Sequence, residues 1–434
     1  MTSLGGTTLG GSLQGTPSVL NVPPSSVKKK TKKKKKKGTG EKPKKVIPVK
    51  EESPSDYHSS EDEVDENEID EGRGGYRKGG YHPVKIGEWY KHRYQIKKKL
   101  GWGHFSTVWL AQDSKTGGHV ALKIVKSAPH YAEAAVDEIE LLNCVVKHDT
   151  DGEKFVVKLL DNFMHSGPHG RHVVMVFEVL GKNILELIEK HYFGLPIQVV
   201  KSMTKQILIA LQFLHEQCNI IHTDLKPENI LLVETLKVDT IDDGISDVIV
   251  DEDEPVTMVK IADLGNACWI DKHFTDDIQT RQYRSPEVIL RCGYDARADI
   301  WSLGCIVFEL ATGDLLFKPK KGDTHKKSED HLALILELFG LQKYPAKYRK
   351  GKRAKDFFNT RGELKHIKSL KPWKLDEVLK EKYNFSEKDA NEMSDFLNQC
   401  LQIDSDERLS AEEALKHPWL KGIDTTIPFP TEAP

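Results

Sequence analysis

Ile221-His-Thr-Asp-Leu-Lys-Pro-Glu-Asn229 is the stretch on which the reading of this 434-residue chain turns. It sets Asp224, Lys226 and Asn229 at the spacing of a catalytic loop for phosphoryl transfer. In such a loop the aspartate orients a substrate hydroxyl and accepts its proton. The lysine neutralises charge growing on the γ-phosphoryl oxygens and the asparagine binds a magnesium ion, because this catalysis is mainly positioning plus electrostatic stabilisation. Downstream, Ile261-Ala-Asp-Leu-Gly265 offers a second metal ligand in the carboxylate of Asp263. Ser285-Pro-Glu287 closes the segment that Asp263 opens. Glu287 is expected to pair with a buried arginine, for which Arg408 in Asp406-Glu-Arg-Leu409 is the candidate.

Upstream, Leu100-Gly-Trp-Gly-His-Phe-Ser-Thr-Val108 has glycines at 101 and 103, with Ser106 where a third would fall. Residues 94–100 and 107–111 alternate polar and apolar around it, so the glycines occupy the tip of a predicted hairpin, where bare amides approach phosphate oxygens. Leu100, Gly101, Trp102, Gly103, His104, Phe105, Ser106, Thr107 and Val108 are the predicted nucleotide-covering residues. Val120-Ala-Leu-Lys-Ile-Val125 reads as a third strand carrying Ala121 and Lys123 to the same pocket. Lys123 holds α- and β-phosphates only if a carboxylate positions its ammonium. Residues 131–142 have helical spacing and bring Glu138 as the expected partner, with Glu133, Asp137 and Glu140 as rivals.

Residues 173–179 read as a short apolar strand ahead of Gly181, and beyond it helices dominate. Over 199–215, Val200, Met203, Ile207, Leu211 and Leu214 share one helical face, whereas 300–310 is apolar nearly all round, as a central buried helix is. The expected class is α+β, a small β-rich lobe preceding a large helical one.

Composition bounds the rest. Lysine and arginine number 64 against 66 acids, a net charge of −2 that hides separated blocks. Residues 28–50 hold 13 lysines and 51–72 hold 11 carboxylates, with almost no aliphatic pattern before residue 80 to offset the entropy of ordering. Residues 1–79 are therefore expected to be a disordered tail. Its lysine block reads as a nuclear import signal, a non-specific nucleic-acid patch or a solvated run, so direct nucleic-acid binding is expected at most weakly and through this tail. Ser59 and Ser60 precede Glu61-Asp-Glu63, a context for an acid-directed kinase. No apolar run approaches the roughly 18 residues of a membrane span, no basic segment precedes an apolar core at the start, and six scattered cysteines form no C-x-x-C pair. We read a soluble, intracellular, reduced monomer.

Residues 94–420 resemble a eukaryotic protein kinase, and Thr280-Arg-Gln-Tyr-Arg-Ser-Pro-Glu287 is similar to the branch holding cyclin-dependent, MAP and splicing-factor kinases. Four phrases narrow the resemblance: Gly79-Gly-Tyr-His-Pro-Val-Lys-Ile-Gly87, Leu100-Gly-Trp-Gly-His-Phe-Ser-Thr-Val-Trp-Leu110, His222-Thr-Asp-Leu-Lys-Pro-Glu-Asn229 and Asp263-Leu-Gly-Asn-Ala-Cys-Trp269. They resemble the SR-protein-specific kinases, which phosphorylate serines in Arg-Ser repeats of splicing factors. LAMMER dual-specificity kinases share the His-Thr-Asp phrase but usually have Asp-Phe-Gly where this chain has Asp-Leu-Gly, and form the alternative. A pseudokinase scaffold is opposed by the presence of Lys123, Asp224, Asn229 and Asp263; an RNA-associated protein bound through its lysine tail is the third class.

The resemblance implies a two-lobed kinase domain over 80–421, with a five-stranded antiparallel N-lobe sheet (94–179), a helical C-lobe (184–420) and a short tail at 422–434. It implies ATP and Mg2+ as cofactors and location in cytoplasm and nucleus. In Val176-Phe-Glu-Val-Leu180, Phe177 guards the back of the pocket while backbone groups of Glu178 and Leu180 reach adenine. Thr280 is expected to hydrogen-bond near Asp224 and Lys226.

Arg-Ser substrates are cationic, so acids are expected on an exposed face. From Ser328 as N-cap, a helical wheel puts Leu332, Ile335, Leu336 and Phe339 inside and Asp330 and Glu337 together outside. By resemblance these acids, with Asp314 and Lys382, match a docking groove for Arg-Ser segments. Lys318, Lys320, Lys321, Lys326 and Lys327 crowd a stretch that is more acidic in the family, so weaker docking is expected. Residues 234–255 form a short insert of nine acids and one lysine where many family members have a longer spacer that helps hold them in the cytoplasm. Thr223 replaces the arginine that often precedes the catalytic aspartate, which predicts activity without phosphorylation of the loop, where Thr275 is the plausible site.

Overall fold

The computed structural model describes residues 72–430 apart from 235, 241–245 and 251–254; the expected tail blocks up to residue 71 lie outside the described residues. The alternation around the glycine-rich phrase becomes part of a six-stranded antiparallel sheet. Its strands are β1 (Trp89–Tyr90), β2 (Tyr94–Trp102), β3 (Ser106–Asp113), β4 (His119–Val125), β5 (Leu159–Gly167) and β6 (Gly170–Phe177), in spatial order β1-β2-β3-β4-β6-β5. Five strands were expected. The sixth, β1, arises because Lys91 and His92 take φ of 51° and 49° and turn the chain back, so that Tyr90 pairs with Tyr94. Tyr90, Tyr94, Ile96, Leu122, Ile124, Val174 and Val176 bury one face of the sheet. Alternate residues Val125, Val173 and Met175 join the larger core with Ala135, Leu141, Leu142 and Val145 of helix α1 (Pro129–His148), as the two-residue period of a strand requires.

The helical part follows in the order α2 (Ile184–Lys190), α3 (Ile197–Gln212), β7 (Ile220–Ile221), β8 (Ile230–Leu232), β9 (Leu236–Thr240), β10 (Ser246–Val250), β11 (Val259–Ile261) and β12 (Cys268–Trp269). Then come α4 (Pro286–Leu290), α5 (Arg297–Thr312), α6 (Lys327–Leu338), α7 (Ala354–Phe357), α8 (Leu375–Glu381), α9 (Glu387–Cys400) and α10 (Ala411–Leu415). The expected face of α3 is buried from Val200 to Leu211 and continues through Leu214 in a π turn at Phe213–Gln217. Every residue of α5 after Arg297 is buried, which puts this helix at the centre. Gly304 permits that packing, since a Cβ there would lie 2.8 Å from the Leu401 side chain. The acidic insert supplies an antiparallel pair, β9 with β10.

Packed chain begins inside the expected 80–421 bounds but ahead of the expected sheet, and it continues past residue 421. Tyr81 and His82 are buried ahead of Tyr94, and Phe429 is buried past residue 421, its N–H donating to the Val256 carbonyl at 2.7 Å. Glu287 and Arg408 meet as expected: the guanidinium donates to both carboxylate oxygens at 2.6 and 2.9 Å, with both side chains at most 2% exposed. Breaking such a pair costs about 3–5 kcal/mol. Among the described residues no helix is long and apolar enough to cross a membrane.

Candidate active site

Two short ribbons place the catalytic phrases side by side. β7 pairs with β12 and β8 with β11, so residues 222–229 run from one ribbon to the other beside 262–267. The buried carboxylate of Asp299 fixes the first turn of that loop, accepting the N–H of His222 at 2.8 Å and of Thr223 at 2.9 Å, with His215 Nε2 2.8 Å away. Burial opposes its charge, but His215, the His222 ring and the His222 N–H together outweigh it and the carboxyl lies below its ordinary range. Thr223 needs that grip, because φ of +67° is strained for a β-branched residue. Sequence reasoning missed Asp299; the signal was a lone carboxylate just ahead of the apolar run 300–310.

Asp224, Lys226 and Thr280 form the expected network. One carboxylate oxygen of Asp224 accepts from the Thr280 hydroxyl at 2.7 Å and its N–H at 3.1 Å, and the other lies 3.1 Å from Lys226 Nζ. Lys226 also donates to Thr280 Oγ1 at 3.3 Å. Asn229 Nδ2 donates to the Asp224 carbonyl at 2.9 Å, which leaves its Oδ1 as the uncommitted end of the amide.

Across the cleft, Lys123 Nζ lies 2.7 Å from Glu138 Oε1 and 2.9 Å from Asp263 Oδ1. Glu133, Asp137 and Glu140 are exposed on other sides of α1, so Glu138 alone of the four is buried against the lysine. Burial disfavours the ammonium, but Asp263 and Glu138 together raise the Lys123 pKa above its usual value. The Lys123 charge in turn lowers Asp263 to about 2.

These groups border a cavity of about 430 Å³ that also meets Leu100, Gly101, Trp102, Gly103, Ser106, Val108, Ala121, Phe177, Glu178 and Leu180. Three expected residues do not line it. Thr107 points to the opposite face from its neighbours Ser106 and Val108, is 1% exposed, and accepts from Trp109 Nε1 at 3.0 Å. At the tip, Phe105 packs between His104 and Tyr131, with ring centroids 5.0 and 5.6 Å away. Sequence reasoning missed the apolar residues Leu142, Val157 and Leu231, which belong to no quoted phrase, and Ala262, the silent neighbour of Asp263. It also missed Tyr81, whose hydroxyl donates to the Gly103 carbonyl at 2.7 Å and so ties the glycine-rich turn to the preceding chain. The Glu178 carboxylate is held by Lys260 at 2.7 Å.

The pattern of the protein kinase domain family matches residues 94–420. The serine/threonine-protein kinase SRPK of Physarum polycephalum is 51% identical over 381 residues, covering 79% of this chain and 89% of that protein. The chain belongs to the SR-protein kinase family. Protein kinase dsk1 of Schizosaccharomyces pombe is 39% identical over 463 residues (81% of this chain, 85% of that protein), and SRSF protein kinase 3 of Homo sapiens is 36% identical over 500 residues (78% and 88%). The molecule is thus a protein serine/threonine kinase, ATP is the substrate its domain implies, and the LAMMER alternative fits less well.

The segment from Asp263 to Glu287 is held by Gln279, a residue the motifs did not reveal. Buried with φ of +68°, Gln279 donates from Nε2 to the Ala298 carbonyl (2.8 Å) and Ser302 Oγ (2.9 Å), and its Oε1 accepts the Ser285 N–H (2.9 Å). Its main-chain N–H donates to the Thr223 carbonyl at 2.9 Å, and its own carbonyl accepts twice from Arg284. Arg284 also meets Asp277 at 3.2 Å, while Thr275 is exposed.

The docking residues depart from expectation. Helix α6 starts at Lys327 with Lys326 as N-cap; Ser328 sits inside the helix, buried, where Arg281 donates to its hydroxyl at 3.4 Å. Asp330 and Glu337 are half-buried rather than exposed, because later or earlier chain covers them: Asp330 accepts the Lys320 N–H at 2.7 Å and Glu337 the Lys371 N–H at 2.8 Å. Asp314 is bound by Lys318 at 2.7 Å, Lys382 at 3.1 Å and the Tyr383 hydroxyl at 2.9 Å. Glu337, Lys382 and Tyr383 line one hollow of about 220 Å³, whereas Asp330 lies seven residues earlier on α6 and outside it.

Proposed function

We propose that this kinase transfers the γ-phosphoryl group of Mg-ATP to serine hydroxyls in Arg-Ser-rich proteins of the splicing-factor type, in both cytoplasm and nucleus. The observation that carries the reading is two charge networks on adjoining segments, Lys123 with Glu138 and Asp263, and Asp224 with Lys226 and Thr280, the loop of the second being bonded to Ala262 beside Asp263. Lys123 orients the α- and β-phosphates, Asp224 accepts the serine proton, and Lys226 screens charge on the transferring group. Thr280 holds Asp224 in place. The anionic carboxylate of Asp263 and the amide oxygen of Asn229 suit a hard cation such as Mg2+, which when bound neutralises phosphate charge. Leu100, Val108, Ala121 and Phe177 enclose the adenine, with main-chain groups of Glu178 and Leu180 as its hydrogen-bond partners.

The substrate class is supported by the name of the human relative and by the acids Asp314 and Glu337 beside Lys382. The test is to incubate purified chain with Mg-ATP and matched Arg-Ser, Lys-Ser and Ser-Pro peptides. The Arg-Ser peptide is expected to be phosphorylated preferentially, and Asp224→Ala to lose at least about 100-fold in turnover with ATP binding kept. Equal rates on all three peptides, or an Asp224→Ala enzyme within a few-fold of wild type, refutes the reading.

A further inference from the structure

Far from the phosphoryl-transfer cleft in chemical role, the phrase Gly79-Gly-Tyr-His-Pro-Val-Lys-Ile-Gly87 delivers His82 into a cluster that catalysis does not use. His82 is 4% exposed, and neither of its ring nitrogens has a hydrogen-bond partner. Buried polar atoms left without a partner are costly, so an orphaned imidazole signals a missing partner. Two more imidazoles face it. His165 on β5 and His172 on β6 are directly opposed across the strand pair, with ring centroids 4.7 and 5.1 Å from that of His82. From the other side comes Glu88, whose Oε1 lies 3.9 Å from His82 Nε2.

We propose that His82, Glu88 and His165 form a binding site for a first-row divalent cation of the zinc type. One donor atom from each lies within 4.8 Å of the other two, so a single ion reaches all three after small side-chain movements. Two imidazoles and a carboxylate are a set that zinc accepts, with water in the fourth position. Oxygen-seeking magnesium or calcium is a poorer match. Burial disfavours a charged imidazole, which leaves a nitrogen lone pair for the metal.

The surroundings orient the ligands as metal sites require. Glu88 Oε2 accepts the Lys85 N–H at 3.1 Å, which fixes the carboxylate plane. On the far side of the His82 ring, a Cβ on Gly167 would lie only 2.3 Å from Nδ1, so the turn between β5 and β6 closes that nitrogen off and Nε2 is the ligand atom. Glu88 and His165 are only partly buried and provide the entry path. The neighbour of His82 is Tyr81, the residue bonded to the Gly103 carbonyl, so an ion here stiffens the anchor of the glycine-rich turn.

The test uses the full chain, freed of any affinity tag and stripped with chelator, titrated with zinc chloride in a calorimeter while bound metal is counted by mass spectrometry. One zinc per chain is expected, with binding at least about 10-fold weaker in both Glu88→Gln and His165→Gln, a loss that even outer-shell partners of a metal cause. Because these two positions are half-exposed, the variants keep the His82 core intact. Among the described residues the other cluster able to hold an ion is Cys144, His148 and Cys218. Failure to bind zinc, unchanged affinity in both variants, or loss of the site in Cys144→Ser alone overturns the proposal.

Discussion

Gln279→Ala is expected to disable substrate turnover without touching a group that meets ATP. The substitution deletes three side-chain hydrogen bonds, to Ala298, Ser302 and Ser285, in a site that is 5% exposed. At about 1 kcal/mol net for each bond, the ordered segment loses about 3 kcal/mol, before any penalty for the Ser285 N–H left dry. That energy equals more than about 100-fold in an ordering equilibrium. The main-chain bonds to Thr223 and Arg284 survive, so the loss is partial: kcat/KM on an Arg-Ser peptide is expected to fall between about 10- and 100-fold, with nucleotide affinity unchanged within about twofold. Gln279→Gly separates the causes, since it relieves the positive φ but deletes the same bonds. The assay is steady-state peptide kinetics beside fluorescent-nucleotide titration. Wild-type kcat/KM in Gln279→Ala, or full activity in Gln279→Gly with loss only in the alanine variant, refutes this holding role of Gln279.

Three further outcomes follow from the same geometry. Because Arg284 is already engaged by Gln279 and Asp277, kinase made in bacteria, its Thr275→Ala variant and a sample phosphorylated at Thr275 are expected to turn over within about threefold of one another; tenfold activation by phosphate contradicts this. Burial, opposed by the Tyr283 hydroxyl, raises Glu309 from 4.5 to about 7, so the folded state prefers the protonated acid and loses stability as pH rises from the unfolded value to the folded one. Glu309→Gln keeps an acceptor for Tyr283 and is expected to flatten this decline, measured as urea midpoints at pH 5.5 and 8; parallel pH profiles for variant and wild type count against it. Replacing Asp314, Asp330 and Glu337 by alanine together is expected to slow long Arg-Ser substrates several-fold while sparing short peptides, and equal loss on both lengths would defeat a distal groove.

Much of the site was legible because its chemistry sits in local phrases. Lys123 on a predicted strand and Glu138 on a predicted helix are expected partners from the phosphoryl-transfer pattern, and β4 and α1 bring them within 2.7 Å, whereas the rivals Glu133, Asp137 and Glu140 face away. Asp299 was not legible, since its partners, His215 and two backbone amides 76 and 77 residues away, are joined to it by no local sequence pattern. Strand β1 is two residues long, too short to show alternation. For Asp330 and Glu337 the wheel identified the helix face correctly but could not know that the amides of Lys320 and Lys371 return to cover it. Residues 422–430 lack apolar periodicity and are anchored chiefly through main-chain atoms, such as the Ile423 carbonyl that accepts from Lys205 at 2.9 Å.

In the docking role proposed for it, Asp314 would meet an incoming substrate with cations already seated on it. Lys318 above all, and then Lys382 and Tyr383, hold its carboxyl well below the usual range. An arriving guanidinium therefore does not fill a bare charge; it swaps with an ammonium that returns to water. One such swap is close to thermoneutral, as exposed ion pairs are. A single arginine gains little by it, but a chain that carries many gains repeatedly, because each seated arginine raises the effective concentration of the next. In that proposed role the surface would work as an ion-exchange column does, indifferent to lone charges and retentive towards polyvalent ones. Each phosphate added to the substrate contributes about −1.5 to −2 charges and lowers its positive valency, so the same exchange would release the product.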